Sequence, residues 1–424
     1  MAVALADSGV KVGNPGASYI RARAARLLDG LVAIWIFSGA FVFTEPSPYE
    51  LMFFLVLAVA LVGGFGLHRS TLGLLVIFVA FLPFATIAAF QVRHNDLGDT
   101  LIFQAVTIFL LFTGYFVANY VADAPQRRMR LIVGAYIATA VLSAVVGTLG
   151  YLHLIPGADV LTRYGRAKAL FNDPNVYGPF LILPAMYLLQ RMLLGNPRRA
   201  IVASGLFMVL AIGVFASFSR AAWGYLAVSA VIVILLDFFL VAQAREKVRV
   251  LILAMVGALT ISVAIAGMLS IPAVEKLFEI RASAQAYDEG ETGRFGRQAY
   301  AFEVALANPL GIGPNEFNQM RVSELPHNSY VNFILVYGWG GGLLFWVLMG
   351  TTVLRAVRFV LMPSPNRLLL IPLVAVFIPL AIEAAIIDMD HWRHLYLLAG
   401  LIWGVTATYQ KTDSNRTGRL DALI

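Results

Sequence analysis

From Leu27 to Tyr409 the chain is a succession of apolar runs, each close to the length of about 20 residues that a helix needs to cross a hydrocarbon core. No water reaches that core, so a backbone there must satisfy its own polar groups, which for runs of this length means α-helix. The runs are Leu27–Phe43, Leu51–Gly66, Leu72–Phe90, Leu101–Val121, Leu131–Leu152, Val176–Leu194, Ile201–Phe218, Ala221–Val241, Val250–Ile271, Tyr330–Leu354, Leu368–Ile387 and Trp392–Tyr409. They predict an all-α, polytopic integral membrane protein with about twelve transmembrane helices. Composition agrees: 60% of residues are hydrophobic, 13% are charged, and the mean hydropathy is +0.80. There is no cysteine, so the fold has neither disulfides nor thiolate chemistry.

Charge gives the orientation. Cytoplasmic loops retain Lys and Arg, and with twelve spans the tails and loops on the N-terminal side hold twenty of the thirty-one basic residues. Residues 1–26 therefore read as a cytoplasmic tail ahead of an uncleaved first span. Residues 27–410 form one transmembrane domain, and 411–424 form a second cytoplasmic tail. The net charge of +7 is spread over many short loops, so topology explains it better than nucleic acid does. Of the remaining eleven basic residues, nine fall in two long loops on the outer face or at the junction Arg220. The loops, 153–175 and 272–329, are longer than connections between neighbouring helices usually are. Long charged loops are where function tends to sit.

Within the larger loop, Phe295, Ala299, Phe302 and Leu306 recur at helical spacing and "NPLGIGP" follows as a stop. This predicts an amphipathic helix against the outer membrane surface. Arg294 and Arg297, three apart, share one of its faces, where they could reach a phosphate or water. In the smaller loop Arg163, Arg166 and Lys168 precede "NDPN", a candidate helix cap through Asp173 or Asn175. Such a group suits a diphosphate, or anionic lipid headgroups. Arg220 stands between two spans with almost no loop, a costly place for a charge unless it is paired, wet or functional. In "ELPHNSYVNF", Pro326 disfavours helix before it, and Asn328 and Ser329 suit the cap of the span that follows. His327 then stands at a helix mouth, where a neutral imidazole could accept a proton. The last outer turn, "EAAIIDMDHWRH", holds Asp388, Asp390, His391 and Arg393, with Glu383 inside the preceding span as a reserve base. Its spacing matches no standard metal site, so no metal or other cofactor is expected. Asp29 and Asp237, toward inner ends of spans, read as structural.

Four pieces, "SRAAW", "TGRFGRQAY" with "NPLGIGPNEF", "HNSYVNFILVYGWGGG" and the weaker "RAKALFNDPN", together resemble the bacterial O-antigen ligase and polymerase superfamily. The resemblance covers about Arg163 to Gly342. It implies about twelve spans, a metal-independent active site on the periplasmic face of the bacterial inner membrane, and a donor glycan linked to undecaprenyl diphosphate. It also implies roles for matching positions, catalytic for Arg220, Arg294 and His327 and diphosphate-binding for Arg166. By the chemistry of the residues themselves, Arg163, Lys168 and Arg297 are further candidate diphosphate binders, and Asn328, Asn175 and Glu383 candidate supports. The surface helix of that superfamily often has Trp where Tyr300 stands, which leaves the subfamily open. The expected reaction is inverting glycosyl transfer to an acceptor such as lipid A core. A polymerase of the same superfamily, joining repeats into O-antigen or exopolysaccharide, is the nearest alternative. A polyprenol-glycan flippase or transporter is the alternative of another class; such proteins usually keep their polar sites near the midplane on repeated halves.

Overall fold

A computed structural model describes residues 15–43, 46–63, 65–282, 290, 293–320 and 324–407. The first fourteen residues, Arg321 and the tail 411–424 with its basic residues lie outside the described residues.

The chain is nearly all helical. α1 (Pro15–Ser38) pairs with α2 (Pro48–Gly63), and α3 (Leu72–Ala89), α4 (Leu97–Asp123) and α5 (Pro125–Tyr151) follow. A two-stranded hairpin, β1 (Thr162–Arg163) and β2 (Arg166–Ala167), fills part of the first long loop. Then come α6 (Pro174–Phe180), α7 (Ile182–Leu194), α8 (Pro197–Ala216), α9 (Arg220–Leu240) and α10 (Ala244–Leu269). The second long loop carries α11 (Pro272–Ala282) and α12 (Arg294–Ala307), and α13 (Ser329–Leu361), α14 (Arg367–Glu383) and α15 (Arg393–Val405) complete the order. A helix stands at each of the twelve expected segments, α6 and α7 sharing one. Among the described residues eight helical segments are long and apolar enough to cross a membrane. The others fall short for visible reasons: α1 carries Arg21, Arg23, Arg26 and Asp29, and α2, α14 and α15 have 16, 17 and 13 residues.

Two departures from the expected spans position the site. α15 is buried on every side from His394 to Val405, because small residues let it lie directly on α4. A methyl group on Gly114 would stand 2.9 Å from Tyr396 O, and one on Gly404 2.7 Å from Ala118 O. Close backbone approach of this kind is how helices associate where lipid removes the hydrophobic driving force. α13 is not one continuous helix. Gly338 has φ 74° and ψ −178°, which breaks the ladder, and the "NPLGIGP" loop inserts at the break. Its Ile312 and Gly313 amides donate to Leu335 O (2.9 Å) and Val336 O (3.2 Å), and Trp339 N donates to Pro309 O (3.0 Å). Carbonyls released by the break are thus satisfied by protein, as irregular backbone near a membrane requires. Glu316, just beyond the loop, accepts from the amides of His94 and Asn95 at 2.8 and 2.9 Å and ties it to the α3–α4 turn.

α12 packs Ala301 and Ala305 against Leu335 of α13, while Phe295, Phe302 and Leu306, most of the expected apolar stripe, face outward and exposed. At the opposite end of the bundle, Asp29 pairs with Arg127 and accepts from Tyr120 Oη at 2.6 Å, and Gln190 Nε2 donates to Asp237 at 3.1 Å. Both carboxylates have local partners, as structural residues do.

Candidate active site

Three helices begin at one cavity. Arg220 is the first residue of α9, behind the N-cap Ser219; Arg294 is the first residue of α12; His327 precedes the N-cap Asn328 of α13. The cavity they share has a volume of about 650 Å³ and also takes Arg163, Arg166, Asp173, Asn175 and Glu324 into its wall. A helix N-terminus carries a partial positive charge of about half an elementary charge, with amides free to meet an anion. Arginine there works against the helix dipole. Four arginines against two carboxylates, two of the arginines opening helices and two on the hairpin, form an arrangement suited to an anion rather than one optimised for stability.

The hairpin supplies two of the four arginines. Arg163 pairs with Arg166, and Tyr164 (φ 54°) and Gly165 (φ 66°) form the two-residue turn whose double positive φ matches strand twist. This turn was legible as "RYGR" but not anticipated. Arg166 is buried; its Nε donates to Ser217 O at 2.8 Å and its Nη2 to Asn175 Oδ1 at 2.7 Å. The guanidinium fork thus joins the hairpin to the C-terminal end of α8 and to α6, whose N-cap is Asp173. Arg163 is more exposed, donates to Asn172 O at 2.9 Å, and lies over the Tyr164 ring. Between α8 and α9, the buried Phe218 adopts φ 45°, a conformation that costs a bulky residue energy and turns the chain sharply enough to present Arg220.

His327 is held from behind. Its φ is 56°, and the carboxylate of Asp388, from the α14–α15 turn, accepts from His327 N at 2.9 Å and Asn328 N at 3.1 Å. The same carboxylate lies 3.2 Å from His327 Nδ1. Gln298 of α12 donates to His327 O at 2.9 Å. A carboxylate facing Nδ1 favours the tautomer with its proton there, leaving the Nε2 lone pair for the cavity side. Nε2 stands 3.9 Å from Glu324, which also pairs with Arg297.

Asp388, Glu324 and Gln298 were not among the expected site residues. Asp388 was visible only as part of the acidic cluster in "DMDHWRH"; nothing in the spacing pairs it with a histidine 61 residues away.

The remaining expected residues stand elsewhere. Arg297 is buried in the ion pair with Glu324 and is not in the cavity wall, so of the two arginines three apart on α12 only Arg294 lines the cavity. Lys168 also lies outside the wall and donates to Phe171 O at 3.0 Å; burial and the neighbouring Arg163 push its ammonium below the ordinary lysine value. Asn328 acts as the cap, accepting from the Tyr330 and Val331 amides at 3.1 and 3.2 Å. Glu383, at the end of α14, is buried away from the cavity wall. Arg393 is bound to Glu50 at 2.6 Å and ties α15 to α2. Among the described residues no three His, Asp or Glu side chains gather as a metal site.

Residues 205–346, about a third of the chain, match the family described as O-antigen ligase. The matched stretch runs from α8 into α13 and contains Arg220, Arg294 and His327; the hairpin arginines and Asp388 lie beyond it. No curated protein matches the chain.

Proposed function

Starting from a chain whose residues 205–346 belong to the O-antigen ligase superfamily, we propose that it transfers a glycan from a polyprenyl diphosphate to an acceptor hydroxyl, as a ligase acting on an acceptor such as lipid A core. One observation carries this reading: Arg166, Arg220, Arg294 and His327, from four separate segments, line one cavity. In the reaction the acceptor oxygen bonds to C1 of the donor sugar as the bond from C1 to the diphosphate oxygen breaks. The electron pair leaves with the diphosphate, and the face opposite the leaving group is attacked, which inverts C1.

Charge accumulates on the leaving diphosphate, where Arg220 and Arg294 stand at helix N-termini. Such preorganised cations act where water is excluded and need no reorganisation as the charge develops. Arg166, fixed by its two hydrogen bonds, adds charge to the same wall and keeps the hairpin in place. The attacking hydroxyl becomes acidic as it bonds, and His327 Nε2 is the group to take its proton. Asp388 positions that ring and stabilises the imidazolium. Twelve spans at the expected segments, with both termini on the cytoplasmic side by the basic-residue count, would put this cavity at the periplasmic face of the inner membrane. Undecaprenyl diphosphate is the carrier this reading names.

The test is transfer by the purified protein in liposomes, given a glycan on undecaprenyl diphosphate and a lipid A core acceptor. A glycosidic product absent from the His327→Ala protein is expected; no product from the wild-type protein with any hydroxyl acceptor would refute the enzyme reading and favour transport. In a deletion strain, full-length polymer left on the carrier is the ligase outcome, whereas single repeats left there would assign a polymerase.

A further inference from the structure

The tip of the hairpin carries a group that the transfer reaction, as derived above, does not use. Tyr164 is 72% exposed and lines the active-site cavity, next in the chain to Arg163, which pairs with Arg166 across the turn. The turn demands its φ of 54°, which a bulky side chain resists and which Asn or Gly takes readily. Little packing offsets that strain, since most of the residue is open. A strained residue that does not bury itself points to a use for its side chain.

The ring is nonetheless fixed. Arg163 lies over one face, 5.0 Å from the ring centre, and its Nη2 donates to the Tyr164 hydroxyl at 3.3 Å. Arg163 is itself held by Asn172 O at 2.9 Å. The base of the hairpin is anchored by the Arg166 fork and by the Lys168 amide, which donates to Leu161 O at 2.9 Å. A rigid aromatic ring is thus backed by a cation on one face, while its exposure leaves the other to the cavity.

A sugar fits such a face in a polar wall. The face of an aromatic ring is electron-rich. A pyranose offers it a patch of C–H bonds made slightly positive by the neighbouring oxygens, with hydroxyls around the rim. Those hydroxyls suit the charged and amide groups beside the ring, Arg163, Asp173 and Asn175. A hydrocarbon chain would leave these groups without partners, and a phosphate would be repelled by the ring face. Position then selects the sugar. In the cavity reading the diphosphate lies against the arginines, two of which sit on the hairpin with Tyr164, and the sugar bonded to that diphosphate is the nearest ring.

We propose that Tyr164 stacks on a pyranose at the diphosphate end of the donor glycan and so helps determine which donors are accepted; this rests on the cavity reading above. The experiment uses the purified protein in liposomes with a lipid A core acceptor. The donor is the lipid-linked glycan that accumulates in the deletion strain, and undecaprenyl diphosphate without sugar is the competing inhibitor. Tyr164→Asn removes the ring and suits the turn, so it is expected to melt at or above the wild-type temperature. Loss of one aromatic stack weakens a complex by about three- to tenfold, so the donor KM should rise by about that factor in Tyr164→Asn. The acceptor KM and the Ki of the sugar-free carrier should stay within about twofold, as should the donor KM of Tyr164→Phe, which keeps the ring. An unchanged donor KM in Tyr164→Asn would leave the ring without a ligand and overturn the proposal. A Ki that rises in step with the donor KM would trace the effect to Arg163 and the diphosphate, and a rise in the acceptor KM instead would move the ring to the acceptor; either overturns it as well. All three results leave the cavity reading standing. Wild-type protein that neither transfers glycan nor binds the sugar-free carrier would overturn that reading, and the stacking with it.

Discussion

Asp388 makes the sharpest prediction, because it reaches the chemistry only through His327. Asp388→Asn preserves size and one acceptor oxygen but removes the negative charge facing Nδ1. It also puts an amide NH₂ where the carboxylate now accepts from two backbone amides. Proton acceptance by the ring is worth about 10²- to 10⁴-fold, or roughly 3 to 5 kcal/mol of barrier. The loss on Asp388→Asn is bounded by that figure, and a fall of about 10²-fold is expected. Once the imidazole is gone, the same change has no catalytic route left. The double variant His327→Ala/Asp388→Asn is therefore expected to match His327→Ala within a few-fold, a strongly non-additive cycle.

Stability needs its own control, since weakening a charged hydrogen bond costs about 1 to 3 kcal/mol. Ser329→Ala cuts the ties from Ser329 Oγ to Ile387 O and Met389 N in the same turn, both 2.8 Å, without touching the ring. It is expected to lower the melting temperature, because Ser329 is buried, and to leave the transfer rate within about threefold. The assay is initial-rate transfer in liposomes at saturating donor. A double variant slower than His327→Ala by the full Asp388→Asn factor would show that Asp388 acts independently of the histidine, and the dyad would have to be abandoned.

Arg220→Ala and Arg294→Ala should each slow transfer by about 10²- to 10³-fold, at least as much as His327→Ala; membranes in which the histidine variant is the slowest of the three would reverse the assigned roles. Arg166→Lys keeps the charge but not the fork between Ser217 O and Asn175, so lysine is expected not to rescue either melting temperature or rate, and wild-type values for both would show that charge alone suffices. Gly338→Ala forces a side chain to φ 74° and ψ −178° against Pro309 O and the Gly311 amide; the conformation alone costs about 1 to 3 kcal/mol, so a clear drop in thermal stability in detergent is expected, and an unchanged midpoint would count against the inserted loop. Burial works to raise the Glu316 carboxyl, but hydrogen bonds from the His94 amide and ring and the Asn95 and Arg93 amides outweigh it and hold it below its ordinary value. A folded-state value lowered in this way stabilises above the unfolded value of 4.5 and is lost as pH falls below it. The melting-temperature gap between wild type and Glu316→Gln should thus be full at neutral pH and narrow below pH 4.5, whereas a gap that widens in acid would contradict the sign.

The sequence alone carried the apolar periodicity, and with it the helical class and the order of the helices, because bilayer thickness fixes how long an apolar run must be. It also carried the helix entry at Asn328. Capping is local chemistry, written within three or four residues, so His327 was readable as a residue at a helix mouth, while Arg220 was readable as a charge at a span boundary and Arg294 as a charge on the surface helix. What it did not carry was anything that depends on which helices touch. Arg297 and Arg294 look equivalent at a spacing of three, and packing alone buries one under Glu324 and opens the other to the cavity. Tyr330–Leu354 looks like an unbroken span, and the break at Gly338 exists because a loop 25 residues upstream supplies donors for the released carbonyls. Asp388 meets His327 because the end of α14 packs on the start of α13, where Ser329 N donates to Ala384 O, Ser329 Oγ to Ile387 O and Tyr330 Oη to Ala381 O. Periodicity and capping are short-range and survive in one dimension; pairings between distant turns are set by close approach of whole helices, so the tertiary structure decided them.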